Sequence, residues 1–145
     1  MAPHLETNVT APLTVVIADD HDAFREELRR MVERAGGLEL IGEAVRGDVA
    51  LALIHALHPA VAILDIRMPH LDGLEVVRQA RHRSQSTRVV MVTMYDDPDL
   101  LREALEIGVD GYVLKDDAAA ELGPCLKVVA GGGRYISMRL AGGQE

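Results

Sequence analysis

The sequence predicts an α/β domain, a doubly wound sheet of five parallel strands with helices on both faces. Three observations carry this expectation. Short β-branched runs alternate with segments of helical periodicity from Leu13 to about Gly131. One of those runs, Val61 to Leu64, is apolar at every position, as a strand covered on both faces requires. Glycine or proline punctuates most of the boundaries, so each unit is a short strand followed by one helix. Such alternation joins parallel strands through right-handed helical crossovers.

The elements follow in order. LTVVIA (13–18) is a strand ending in two aspartates, Asp19 and Asp20. Phe24, Leu28, Met31, Val32 and Ala35 then fall on one helical face, and Gly36-Gly37 stops that helix. LELIGEA (38–44) alternates enough to be an edge strand. Val49, Leu51, Leu53, Ile54 and Leu57 mark a second helix, closed by His58-Pro59, with Asp48 read as its cap. VAILD (61–65) is the third strand, and a helix from about Asp72 to His82 follows it. RVVMVT (88–93) is the fourth strand; Asp97-Pro98 then offers an N-cap with proline at the first helical position, and Gly108 ends that helix. GYVL (111–114) is a short fifth strand. The last helix runs to about Ala130, and Gly123-Pro124 is expected to delay its start or bend it.

Composition removes several classes of function. The 145 residues suit one domain, and 48% hydrophobic content supports a core, built from aliphatic residues because aromatics are only 3%. A net charge of −8 without a basic run argues against a nucleic-acid surface in this chain. A single cysteine, Cys125, excludes an internal disulfide and the usual zinc spacings, and fits a cytoplasmic, reducing setting. No apolar run is long enough to cross a membrane. Residues 1–12 lack the basic start and apolar block of a signal peptide and read as a mobile leader, so the Asn8-Val9-Thr10 sequon has no expected role.

In open sheets of this class ligands gather beyond the carboxyl ends of the strands. The residues found there are Asp19 and Asp20 after the first strand, Asp65 after the third, Thr93 on the fourth and Lys115 after the fifth. Any one alone is an ordinary polar strand end. Together, three carboxylates repel and raise one another's pKa values unless a cation offsets them. Oxygen donors of this kind suit Mg2+. Lys115 and Thr93 can then hold phosphoryl oxygens, and Asp65 is central enough to be a nucleophile that forms an acyl phosphate.

Asp19-Asp20, LDIRMPHLDG (64–73), VTMYDD (92–97) and GYVLKD (111–116) together resemble the receiver domain of bacterial two-component response regulators. The resemblance covers about residues 13–131 and implies a flavodoxin-like (βα)5 fold. It implies Asp65 as the phospho-acceptor, charged by a sensor histidine kinase. Asp20, Asp65 and the Arg67 backbone carbonyl would ligate Mg2+, with Asp19 acting through a water. Thr93 and Lys115 would bind the phosphoryl group, and Tyr112 would switch together with Thr93. Pro69 and Gly73 match the turn after the acceptor strand. The wording of MYDD and GYVLKD is similar to the NarL/FixJ-type subgroup, which carries a LuxR-type helix-turn-helix. Residues 132–145 would then be a linker toward an output domain absent from this chain, through which alone DNA would be bound. Dimerisation on phosphorylation is a further implication, and a stand-alone receiver acting through protein contacts is the alternative.

Two positions depart from the common pattern. Asp116 stands where many receivers have proline after the lysine, so a trans Lys115–Asp116 bond is expected, a cis non-proline bond costing about 2.5–4 kcal/mol. Met94 is bulkier than usual, and with Arg67 and Tyr95 it is expected to tune how long the phosphoryl group survives. A metal-dependent phosphohydrolase is a rival, but such enzymes place a second aspartate two residues after the nucleophile, where this chain has Arg67. His55 and His58 lack a third ligand nearby, Arg46-Gly47-Asp48 precedes a helix, and Gly131 to Gly133 ends one; none is read as a site.

Overall fold

A computed structural model describes residues 11–84 and 86–142. Residues 1–10, with the sequon and most of the leader, lie outside the described residues. The chain runs β1 (Leu13–Ala18), α1 (Asp22–Ala35), β2 (Leu38–Ala44), α2 (Gly47–Leu57), β3 (Val61–Leu64), α3 (Gly73–Ala80), β4 (Arg88–Thr93), α4 (Pro98–Glu106) and β5 (Gly111–Leu114). A 3-10 turn (Lys115–Asp117), α5 (Ala118–Ala130), β6 (Tyr135–Ile136) and α6 (Met138–Ala141) complete it.

All strands are parallel, in the order β2-β1-β3-β4-β5-β6. The chain leaves β1 for β2 on one side and then returns to place β3 on the other. This makes the carboxyl ends of β1 and β3 the switch point of the sheet, where a crevice opens. The period of two along each strand divides the core. Val15, Ile17, Val61, Ile63 and Val90 face α1 and α5, against Leu28, Val32, Leu122 and Val129. Ala18, Ala62, Leu64 and Met91 face α2, α3 and α4, against Ile54, Val77 and Leu101. β3 is buried at every position.

Among the described residues the sheet has six strands rather than the expected five. β6 is only two half-buried residues, too short to show a period, and it pairs with β5 from within the segment read as linker. The Gly123-Pro124 expectation also needs correction as to the start: α5 begins at Ala118 and continues through Pro124. Asp48 is not the cap of α2. Arg46 holds the N-cap position, and Asp48 lies in the first turn, paired to the Arg46 guanidinium.

Other punctuation acts as expected. Asp72 caps α3 by accepting the Glu75 N–H at 2.9 Å. Asp97 caps α4 by accepting the Asp99 N–H at 2.8 Å, with Pro98 in the first turn. His58 closes α2 in the left-handed region, at φ 46°, with its N–H on the Ile54 carbonyl. No peptide bond among the described residues is cis, so Lys115–Asp116 is trans. No helix among them is long and apolar enough to cross a membrane.

Candidate functional site

The ladder of the sheet continues one step past β1 and β3, and this places the two buried aspartates. The Asp19 N–H donates to the Ala44 carbonyl at 3.1 Å, and the Asp65 N–H donates to the Ala18 carbonyl at 3.0 Å. Asp19 is fully buried and Asp65 is 5% exposed. Backbone donors fix one oxygen of each: His21 N–H on Asp19 Oδ1 at 2.8 Å, and Ile66 N–H on Asp65 Oδ1 at 2.7 Å. The other oxygens face Lys115, whose Nζ lies 2.9 Å from Asp19 Oδ2 and 2.9 Å from Asp65 Oδ2. Lys115 thus bridges the two carboxylates as an ion pair, its contact to Asp19 Oδ2 falling outside hydrogen-bond geometry.

The acidic cluster is completed from the turn into α1. Ligand atoms of Asp19, Asp20, His21 and Asp65 all lie within 4.8 Å of one another. Asp20 is exposed, so the group has one open side. Burial pushes the Asp65 carboxyl above the ordinary carboxylate range; the Asp19 charge adds to this, and the Lys115 ammonium only partly offsets it. At Lys115 burial favours the neutral amine, but the contacts to Asp19 and Asp65 outweigh it and hold the pKa above the ordinary lysine value.

Thr93 is buried at the end of β4, and its hydroxyl accepts the Tyr95 N–H at 3.2 Å. Tyr112 is fully buried under the same loop, its hydroxyl donating to the Tyr95 carbonyl at 2.7 Å. The tyrosine is therefore turned inward in this structure. Arg67 reaches across the rim, its guanidinium 5.2 Å from the centre of the Tyr95 ring. Met94 is 69% exposed, so its bulk lies at the surface rather than over the acceptor.

Sequence reasoning missed three residues here. Phe24, read only as a core position of α1, places its ring 4.6 Å from the Lys115 ammonium. Arg25 donates to the Asp19 carbonyl at 2.9 Å and is anchored by Glu43, so it braces the Asp19-Asp20 turn. His21 joins the acidic group, with Nδ1 3.6 Å from both Asp19 and Asp20. Its adjacency to Asp19-Asp20 was the available signal. His55 and His58, by contrast, join no such group among the described residues.

Residues 15–126 match the response regulator receiver domain family. The chain belongs to that family. It is 38% identical over 129 residues to the probable transcriptional regulatory protein NarL of Mycobacterium tuberculosis, covering 89% of this chain and 60% of that protein. It is 34% identical over 124 residues to the transcriptional regulatory protein DegU of Brevibacillus brevis, covering 86% and 52% respectively. This chain thus spans about half to three fifths of the length of these curated relatives. Among solved structures, the signal receiver domain of the M. tuberculosis NarL superposes with a TM-score of 0.81 at 37% identity, covering 85% of this chain and 99% of that one. A two-component response regulator of the LuxR family from Aurantimonas sp. SI85-9A1 superposes with a TM-score of 0.86 at 29% identity, covering 90% and 94%.

The receiver is thus a phospho-accepting module of two-component signalling rather than an enzyme, and the phosphohydrolase reading falls. Its Asp19/Asp20/Asp65 group is typical of the Mg2+ site in receivers. The donor set fits such an ion on physical grounds too. Three carboxylates crowd together there, and Lys115 pairs with only two of them, Asp19 and Asp65.

Proposed function

We propose that this chain accepts a phosphoryl group on Asp65 from a sensor histidine kinase and passes the change to a transcriptional output. The observation that carries this is Asp65 itself, buried at the switch point of the sheet between Asp19 and Lys115. Such a carboxylate costs stability and is retained where it reacts.

Asp20, Asp65 and the Arg67 carbonyl would hold Mg2+, with Asp19 acting through a water. The ion supplies charge neutralisation between the carboxylates and the incoming phosphoryl oxygens. The Ile66 N–H holds one Asp65 oxygen in place, so the carboxylate enters the reaction already oriented. An Asp65 oxygen attacks phosphorus, an O–P bond forms, and the P–N bond of the donor phosphohistidine breaks with its electron pair returning to the imidazole. Lys115 then binds a phosphoryl oxygen as a point charge, and the Thr93 hydroxyl, at the end of the neighbouring strand, donates to another. Thr93 and Tyr112 form the switch. The inward Tyr112 is the conformer that phosphorylation would favour, so signalling is a population shift.

Residues 13–131 serve as the receiver and 132–145 lead toward the output. The similarity to transcriptional regulators supports DNA binding through a domain outside this chain, with a homodimer forming on phosphorylation, in the cytoplasm. Incubation with acetyl phosphate and Mg2+ is expected to add the mass of one phosphoryl group, and chelating the metal to prevent it. An unchanged intact mass with Mg2+ present would refute the reading.

The rim sets the lifetime of the phosphorylated state. Arg67 and Tyr95 brace each other beside the site, so removing either opens a path for water to the acyl phosphate. Arg67→Ala and Tyr95→Ala should change the dephosphorylation rate several-fold, whereas Met94→Ala, acting on an exposed side chain, should change it least. Equal rates in all three and in wild type would refute the assignment; a phosphate-release assay measures it.

A further inference from the structure

The segment after α5 is not simply an exit from the domain. β6 adds to the sheet edge, with the Tyr135 N–H on the Asp110 carbonyl at 2.9 Å and the Ser137 N–H on the Tyr112 carbonyl at 2.8 Å. Ser137 is fully buried. Beneath it lies the side chain of Glu121, a buried carboxylate of α5 that the phosphoryl site does not use. Three donors from the segment converge on it: the Tyr135 hydroxyl at 2.9 Å, the Met138 N–H at 3.2 Å and the Ser137 hydroxyl at 3.4 Å. Burial and the Glu121 carboxylate push the Tyr135 hydroxyl up to about 12, so it is a donor at any ordinary pH. Arg139, in α6, reaches back to Asp117 at 2.8 Å, two residues beyond Lys115.

We propose that residues 135–141 form a latch whose catch is Glu121, and that this latch reads the state of the phosphoryl site through Tyr112. A series of hydrogen bonds, joined through the bodies of Tyr95 and Tyr112, runs from Thr93 to the latch. Thr93 Oγ1 accepts from Tyr95, the Tyr95 carbonyl accepts from Tyr112, and the Tyr112 carbonyl accepts from Ser137, which also reaches Glu121. Favouring the inward Tyr112 therefore favours the docked segment. The coupling rests on the function proposed above; the latch itself does not.

Amide hydrogen exchange on the full chain tests both parts. Glu121→Gln keeps the side-chain volume but turns an NH2 toward donors. It should speed exchange at Ser137 and Met138 by about tenfold or more, since hydrogen bonds to a charged acceptor are among the stronger ones, and leave β4 amides unchanged. Tyr135→Phe, a milder variant, should act in the same direction. Unchanged exchange at Ser137 and Met138 in both variants would overturn the latch. In wild type, acetyl phosphate with Mg2+ should slow exchange at these two amides. In Tyr112→Phe, compared at an equal phosphorylated fraction measured by intact mass, that slowing should be lost. Uptake verified by intact mass, with exchange unaltered in wild type, would overturn the coupling alone. Absence of uptake would overturn the acceptor reading and the coupling with it, while the Glu121 and Tyr135 variants would still decide the latch.

Discussion

Asp65→Asn is expected to abolish phosphoryl uptake from acetyl phosphate while leaving the metal-free domain at least as stable as wild type. Loss of uptake follows from chemistry, because an amide oxygen is a poor nucleophile and cannot form the acyl phosphate. The stability half follows from electrostatics. Burial, with the Asp19 charge adding to it, raises the Asp65 pKa above its unfolded value despite Lys115. The folded domain thus holds the proton more tightly than the unfolded chain. The contribution of this group is present at low pH, below the unfolded value, and is lost as pH rises through the raised one. Above that raised value the ionised Asp65 is a cost, and the neutral amide removes it while leaving Lys115 its pair with Asp19. Thermal unfolding in a chelator should give a midpoint equal to or above wild type. Mg2+ should then raise the wild-type midpoint more than that of the variant, since binding to the folded state alone stabilises it. Residual labelling, or a midpoint several degrees lower, would contradict the assignment of Asp65.

This separation of reactivity from stability explains why the site was legible and its surroundings were not. Asp19, Asp20, Asp65, Thr93 and Lys115 could be found because the topology rule assigns a location to any residue that follows an apolar strand. The strands were clear because VVIA, VAIL, VVMV and GYVL are covered on both faces. β6 is different. Its two residues owe their strand conformation to the free edge of β5 and to Glu121, and neither leaves a periodic trace in the sequence. Phe24 was legible as a core position but not as the ring beside Lys115, because that contact depends on where α1 crosses the carboxyl end of the sheet. Asp48 misled for a related reason: a residue suited to cap a helix lies next to an arginine that competes for its carboxylate. Pairwise contacts between distant elements decide such cases, and local pattern does not contain them.

Gly73→Ala should cost about 3 kcal/mol, at the upper end of what overpacking a filled interior costs, and should slow phosphoryl uptake as well. Gly73 opens α3 directly behind the acceptor. Its N–H donates to the Ile66 carbonyl at 2.6 Å. A Cβ there would overlap the Asp65 carbonyl oxygen, with the Asp65 carbonyl carbon at 3.0 Å and Ile66 Cα at 3.1 Å. All three are backbone atoms, so no rotamer change relieves the overlap. The peptide that carries the acceptor, or the start of α3, must move. Relief in the loop is restricted, because the Pro69 carbonyl is held by the Gly47 N–H at 3.1 Å and by the Leu71 N–H at 2.8 Å. Gly47 is itself closed to a Cβ by the Leu71 carbonyl. Thermal unfolding should show a midpoint lower by about 10 °C for a domain of this size, together with slower labelling of the fraction that remains folded. The control is Gly123→Ala in α5, where a Cβ meets nothing within 4 Å and φ is not positive; helix propensity favours alanine there by up to about 1 kcal/mol. A Gly73→Ala domain as stable and as reactive as wild type would mean that the acceptor loop is looser than its hydrogen bonds imply. Its backbone would then not be what orients Asp65.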